Sequence, residues 1–97
     1  MTKLVSIKKS SAKGKKYTAT FELSNGRKKT VHFGSAGMDD YTLRHDKDQR
    51  ARYRARHHKD LHTGDPTRAG YLSYHILWGN STNIHQNISA YKRKFHV

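Results

Sequence analysis

Cysteine is absent from this 97-residue chain. That excludes disulfides and thiolate zinc sites and suits a reducing compartment. No apolar run approaches the roughly 20 residues that cross a bilayer, so no transmembrane segment is expected. The opening "MTKLVSIKKSSAKGKK" has too short an apolar stretch for a signal peptide, and the sequons at Asn80 and Asn87 are expected to be incidental. Acidic residues are scarce: seven Asp and Glu stand against 20 Lys and Arg, a formal charge of +13. Such a surface attracts nucleic acid, anionic lipid headgroups or acidic protein faces. Hydrophobic content is only 33%, which predicts marginal stability in isolation and a partner or assembly that supplies further burial. The aromatic share, 10%, argues against a disordered tail.

The length fits one domain, residues 1–97, with a basic β-meander over 1–33 and a helical part over 46–97. "KLVSIKK" reads as a short strand with Val5 and Ile7 on one face. "KYTATFEL" alternates, placing Tyr17, Ala19, Phe21 and Leu23 opposite Thr18, Thr20 and Glu22. A three-residue loop, Ser24-Asn25-Gly26, with Gly26 in the left-handed bulge position, pairs Tyr17 with Phe33, Ala19 with Val31, Thr20 with Thr30 and Glu22 with Lys28. A two-residue Asn25-Gly26 loop would mix apolar and polar residues on both faces, so the longer loop is preferred. "GSAGMDDYT" reads as a glycine-punctuated connection without phosphate-loop spacing.

Three helices are expected after the sheet. Asp46 caps one over about Lys47–Lys59, with Gln49 at the capping-box spacing. Asp65-Pro66 reads as a cap followed by proline at the first helical position, with Gly79 as the stop. The last helix begins near Ser81 or Thr82, where Ile84, Ile88, Tyr91 and Phe95 form one stripe. The fold class is therefore α+β: a small three-stranded antiparallel sheet followed by three helices. The expected fold-specifying core is Phe21, Val31, Phe33, Tyr41, Tyr53, Leu72, Ile76, Trp78, Ile84 and Ile88.

"DKDQRARYRARHHKD", Asp46 to Asp60, is the densest polar run. On a helix, Asp46 lies four residues before Arg50, Asp48 four before Arg52, and Asp60 within reach of Arg56. Such pairs contribute roughly 0.2–0.5 kcal/mol each. Tyr53 is expected to pack this helix down and to leave Arg54 and Lys47 the most free. The less balanced charge lies earlier, where residues 1–33 carry nine Lys and Arg against Glu22, a net of +8. Lys8, Lys9, Lys13, Lys15 and Lys16 crowd the first turn, and Arg27, Lys28 and Lys29 the second. With Arg50, Arg54 and Arg56 these are the candidate partner- or polyanion-binding residues. Lysines suit diffuse, salt-sensitive contact better than base reading.

Catalytic and metal readings find less. His58 and His62 are four apart, with His57 and Asp60 near them, but no glutamate completes a zinc-hydrolase motif. His57-His58, Asn80 and His85 faintly suggest an HNH nuclease, whose intervening hairpin is replaced here by a helical pattern. Ser73 and His75 lack a placed carboxylate and an oxyanion hole. No catalytic residue, metal or cofactor is expected.

One ordered set of short motifs is distinctive: "VHFG", Gly37, "DYT", "HD", Arg50, Tyr53, "RH", Asp65-Pro66, "AG", Ser73 and "LW". Over Val31 to Trp78 it resembles a family of small basic proteins encoded by giant nucleocytoplasmic DNA viruses of algae and amoebae. That family usually has a tryptophan where this chain has Leu61-His62, and a lysine or similar residue where it has His75. The resemblance implies a viral origin and no catalytic residues. By association it implies a minor capsid or virion component, made in the host cytoplasm and packed between or beneath capsid units. Its expected partners are other capsid or virion proteins, with DNA or anionic lipid headgroups as further contacts. The alternatives are a nonspecific nucleic-acid-binding packaging protein and, after it, a small metal-dependent nuclease.

Overall fold

The computed structural model describes residues 2–97. Three strands, β1 (Lys3–Lys9), β2 (Lys15–Glu22) and β3 (Lys28–Ser35), form an antiparallel sheet in the order β1-β2-β3. Helices follow: α1 (Tyr41–Arg44), α2 (Lys47–His57), α3 (Ala69–Leu72) and α4 (Ile84–Phe95). A 3-10 turn, His58–Leu61, extends α2, and a π-turn, Ser73–Leu77, extends α3. The fold is α+β, with one more short helix than the sequence predicts, because Asp40 caps a single turn inside the glycine loop.

The β2–β3 register follows the alternation. Tyr17 faces Phe33, Ala19 faces Val31, Thr20 faces Thr30 and Glu22 faces Lys28. The loop closes through Leu23 N–H to Arg27 O, with Gly26 at φ +83°. The apolar face turns inward, where Ala19, Phe21 and Phe33 are fully buried.

β1 departs from expectation. Leu4 pairs with Phe21 and Ile7 with Ala19, and the register shifts between Leu4 and Ser6. Val5 is the extra residue of a β-bulge and points out, 51% exposed. The bulge lets positions 4 and 7, an odd number apart, share the inner face. The expected pairing of Val5 with Ile7 is replaced by Leu4 with Ile7.

The helix expected from Pro66 begins later. The Asp65 carboxylate accepts from Thr67 N–H at 2.9 Å and Thr67 Oγ1 at 2.6 Å, which closes a turn before α3. These bonds hold the Asp65 carboxyl below the usual carboxylate range. Two tyrosine hydroxyls pin the same segment, Tyr71 donating to Leu61 O and Tyr91 to Pro66 O. Burial raises the Tyr91 hydroxyl above its ordinary pKa, so it stays a donor. At α4 the cap is Asn83, one or two residues beyond the expected start, accepting from His85 and Gln86 N–H.

One cluster of buried side chains joins sheet and helices. It includes Phe21, Phe33, Tyr41, Leu72, Ile76 and Trp78 of the expected core, together with Leu4, Ala19, Tyr71, Leu77 and Tyr91. Val31, Tyr53, Ile84 and Ile88 pack against this cluster but are only half-buried. Val31 lies on an edge strand, and α2 and α4 are outer helices covered on one side only.

Candidate polyanion-binding cleft

The π-turn determines where the arginines of α2 go. Trp78 N–H bonds five residues back to Ser73 O at 3.1 Å. Beyond it the backbone leaves the helix, and its last carbonyls need partners from elsewhere. Arg54 Nη1 donates to Trp78 O at 2.8 Å and Arg50 Nε to Gly79 O at 2.6 Å. Asn87, buried on α4, donates from Nδ2 to Ile76 O at 2.8 Å and Ser81 O at 2.7 Å, and accepts from Ser81 N–H at 3.0 Å. The two guanidinium groups complement the negative end of the helix dipole. Arg50 also donates to Asn80 Oδ1 and lies over Tyr41, while Arg54 lies 4.2 Å over Tyr74. Gly79 is tightly enclosed, since a Cβ there would meet His75 O and the Asn87 amide.

Arg50 and Arg54, both among the expected partner-binding residues, are therefore internal fasteners. None of the helix pairs Asp46–Arg50, Asp48–Arg52 or Asp60–Arg56 forms an ion pair among the described residues. Asp46 instead accepts from Asp48 and Gln49 N–H as the α2 cap, and these bonds hold its carboxyl below the usual range. A hydrogen bond from a charged donor to a carbonyl is worth roughly 1.5–3 kcal/mol, several times an exposed helix ion pair.

Two lysines are diverted in the same way. Lys16 Nζ donates to Asp40 Oδ2 at 2.5 Å, and Asp40 is 1% exposed. The other Asp40 oxygen accepts from Thr42 N–H at 2.9 Å and Leu43 N–H at 3.2 Å, starting α1. Lys29 Nζ donates to Thr67 Oγ1 at 2.8 Å and ties β3 to the Asp65 turn. Lys16 and Lys29 leave the candidate set for that reason. Lys8, Lys9, Lys13, Lys15, Arg27, Lys28 and Arg56 remain exposed.

The exposed candidates of the sheet and its turns divide into two ends. Arg27 and Lys28 sit at the β2–β3 turn. Lys8, Lys9, Lys13 and Lys15 sit at the opposite end of β2, roughly 25 Å away at about 3.3 Å per strand residue. There the first turn docks on the glycine loop through Ala36 N–H to Gly14 O. Lys15 thereby reaches a cleft of about 670 Å³ between the sheet end and α2, and Arg52 and Arg56 line its other wall. Gly34 lets the strand pass close to Leu77: its φ is +78°, and an added Cβ would lie 2.8 Å from Leu77 Cδ1. A stack of rings also reaches the cleft. Tyr53 lies 4.3 Å from Trp78 at 9° and 4.2 Å from His57 at 24°. Burial, the largest influence on the Tyr53 hydroxyl, raises its pKa.

Arg52 is not among the expected binding residues, and helical phase shows only that it shares a side of α2 with Arg56. At about 100° per residue, Arg50 and Arg54 fall to one side of Tyr53, and Arg56 and Arg52 fall equally far to the other; the π-turn decides which side is covered.

The histidines stand apart from one another in function. His57 Nδ1 lies 3.0 Å from Asp60, and His62 Nδ1 lies 2.7 Å from Lys59 O. His58 meets the edge of Tyr74. Among the described residues no group of three or more His, Asp or Glu side chains is placed to hold a metal ion. The interval from His57 to Asn80 is helix and turn. His75 is enclosed by Tyr71, Tyr74, Tyr91 and Phe95, and burial, then Arg54 and Lys94, push its pKa down to about 4.

A family model described as a family of unknown function (DUF5754) matches residues 5–57, more than half of the chain. The chain belongs to this family. The DUF5754 match takes in the sheet from Val5 onward, α1 and α2, and so includes Lys15, Arg52, Tyr53, Arg56 and His57 of the cleft. The π-turn that fastens α2 lies beyond it. No curated protein and no solved structure matches the chain. No helix is long and apolar enough to cross a membrane among the described residues.

Proposed function

We propose that this protein is a small, non-enzymatic structural component of a virus particle, packed between or beneath capsid units. Its basic surfaces would lie against acidic protein faces. The observation that carries the reading is the set of seven exposed cations, Lys8, Lys9, Lys13, Lys15, Arg27, Lys28 and Arg56, none of them in an ion pair among the described residues. The sheet cations sit at two ends of a sheet whose inner face is fixed by an aromatic core, and Arg56 faces one of those ends from α2, so one chain can bridge two acidic neighbours. The likeness to giant-virus proteins over Val31 to Trp78 supplies the setting. Fractionation of purified particles tests it: the protein is expected in the shell fraction, and recovery only from infected-cell extract overturns the reading.

A second reading, nonspecific nucleic-acid binding, is favoured by the cleft, where Lys15, Arg52 and Arg56 stand beside a ring stack. Affinity for DNA is expected to fall steeply with added salt, because bound cations release counterions from phosphate. Undetectable binding at low salt removes this reading.

A further inference from the structure

The cleft differs from the basic turn at Arg27 and Lys28 in having aromatic rings as well as cations. Three cations that form no ion pair among the described residues face it: Lys15 from the sheet, and Arg52 and Arg56 one helical turn apart on α2. The carboxylates that also line it, Asp39 and Asp40, are already paired with Arg44 and Lys16. The local charge is therefore positive. Between the cations the rings of Trp78, Tyr53 and His57 stack with near-parallel planes, and His57 ends the series with its side chain 36% exposed. At about 670 Å³ the space is on the scale of a small organic ligand.

Stacking platforms beside a cationic wall suit single-stranded nucleic acid, whose unpaired bases offer π-faces and whose phosphates follow the charge. Duplex DNA keeps its bases stacked inside and cannot use the ring. An acidic peptide would satisfy the arginines but has no planar group for His57. At the turn, neither Arg27 nor Lys28 lies over an aromatic ring among the described residues.

We propose that the cleft between the sheet end and α2 binds single-stranded nucleic acid, with phosphates held by Lys15, Arg52 and Arg56 and a base stacked on His57. This rests on the nucleic-acid reading above and adds the strand type and the place. No base identity is read, since stacking accepts every base.

The experiment uses the full chain and a labelled oligothymidylate, followed by fluorescence anisotropy at low salt. R52E/R56E at the cleft is compared with R27E/K28E at the far turn, which changes the net charge equally. The cleft pair is expected to weaken binding at least about tenfold more than the far pair, and His57→Ala to weaken oligothymidylate several-fold while leaving inorganic polyphosphate nearly unchanged. Circular dichroism melts of the same variants establish that they are folded. Equal losses at both ends overturn the cleft assignment and leave diffuse nucleic-acid binding standing. Tighter binding of duplex DNA than of the oligothymidylate, or of polyglutamate than of either, overturns the strand type or the ligand class. No binding of any nucleic acid by the unmutated chain removes this proposal and the nucleic-acid reading together.

Discussion

Arg50 and Arg54 lie on one side of α2, Arg52 and Arg56 on the other, and the two pairs answer to different neighbours. The inner pair meets the orphaned carbonyls of Trp78 and Gly79 and the faces of Tyr41 and Tyr74. The outer pair lines an open cleft and forms no ion pair among the described residues. Residue type and spacing are the same within each pair, and the two flank Tyr53 symmetrically; only what each side packs against differs. A count of positive charge along a helix therefore says little about how much of it is available to a partner. The adjacent aspartates repeat the contrast. Asp39 makes an exposed pair with Arg44, whereas Asp40 is buried and holds Lys16 while capping α1.

The contrast predicts an order of effects. Asp40→Ala is expected to destabilise the fold by about 3–5 kcal/mol, because Lys16 and the first N–H groups of α1 lose their acceptor together. Asp39→Ala should change stability by less than about 0.5 kcal/mol. Chemical denaturation of both variants checks the difference, and similar values would break the comparison. Arg54→Ala comes next, at about 2–3 kcal/mol, for the lost Trp78 carbonyl bond and the contact with Tyr74. Its thermal midpoint should fall by roughly 10–20 °C in a chain of this size.

A smaller effect is expected from pH. His75 is neutral in the fold with a pKa of about 4, below the ordinary 6.5, and the cations facing it are Arg54 and Lys94. The unfolded chain binds the proton more readily between these values. The stabilisation is thus complete above about pH 6.5 and lost as the pH falls towards 4, on the order of 2 kcal/mol for a half-buried ring. Asp46 and Asp65, both held below the ordinary range, retain their contributions to lower pH than His75 does. Urea titrations at stepped pH should show this slope, and His75→Phe should flatten it. The smallest effect is expected from R52A/R56A, which should leave stability within about 0.5 kcal/mol of the parent. A large loss there would mean that the outer pair is also structural.

Strict alternation and one glycine were enough to specify the β2–β3 register, since a slip would have put Phe21 and Phe33 on opposite faces of the sheet. The bulge at Val5 left no comparable signal, because one additional residue in a short basic strand changes neither composition nor period. Asp65-Pro66 has the composition of a helix start, yet the Asp65 carboxylate closes a turn on Thr67, and the Pro66 carbonyl accepts from a tyrosine 25 residues away. The π-turn is equally hidden, and with it the carbonyls that claim Arg50 and Arg54. Of the site, the lysine-rich first turn was legible and its convergence with Arg52 and Arg56 was not. That convergence depends on how sheet and helix pack, which neither segment encodes alone.

The bulge in β1 also bears on what happens when many copies are crowded together. β1 is an edge strand, and an unbroken edge offers its amides to the next molecule as a template for fibre growth. Here the ladder is interrupted at Val5, and Lys3, Lys8 and Lys9 repel an approaching copy. The sheet is thereby guarded against its own kind, and a chain with so small a core can be concentrated without polymerising through that edge.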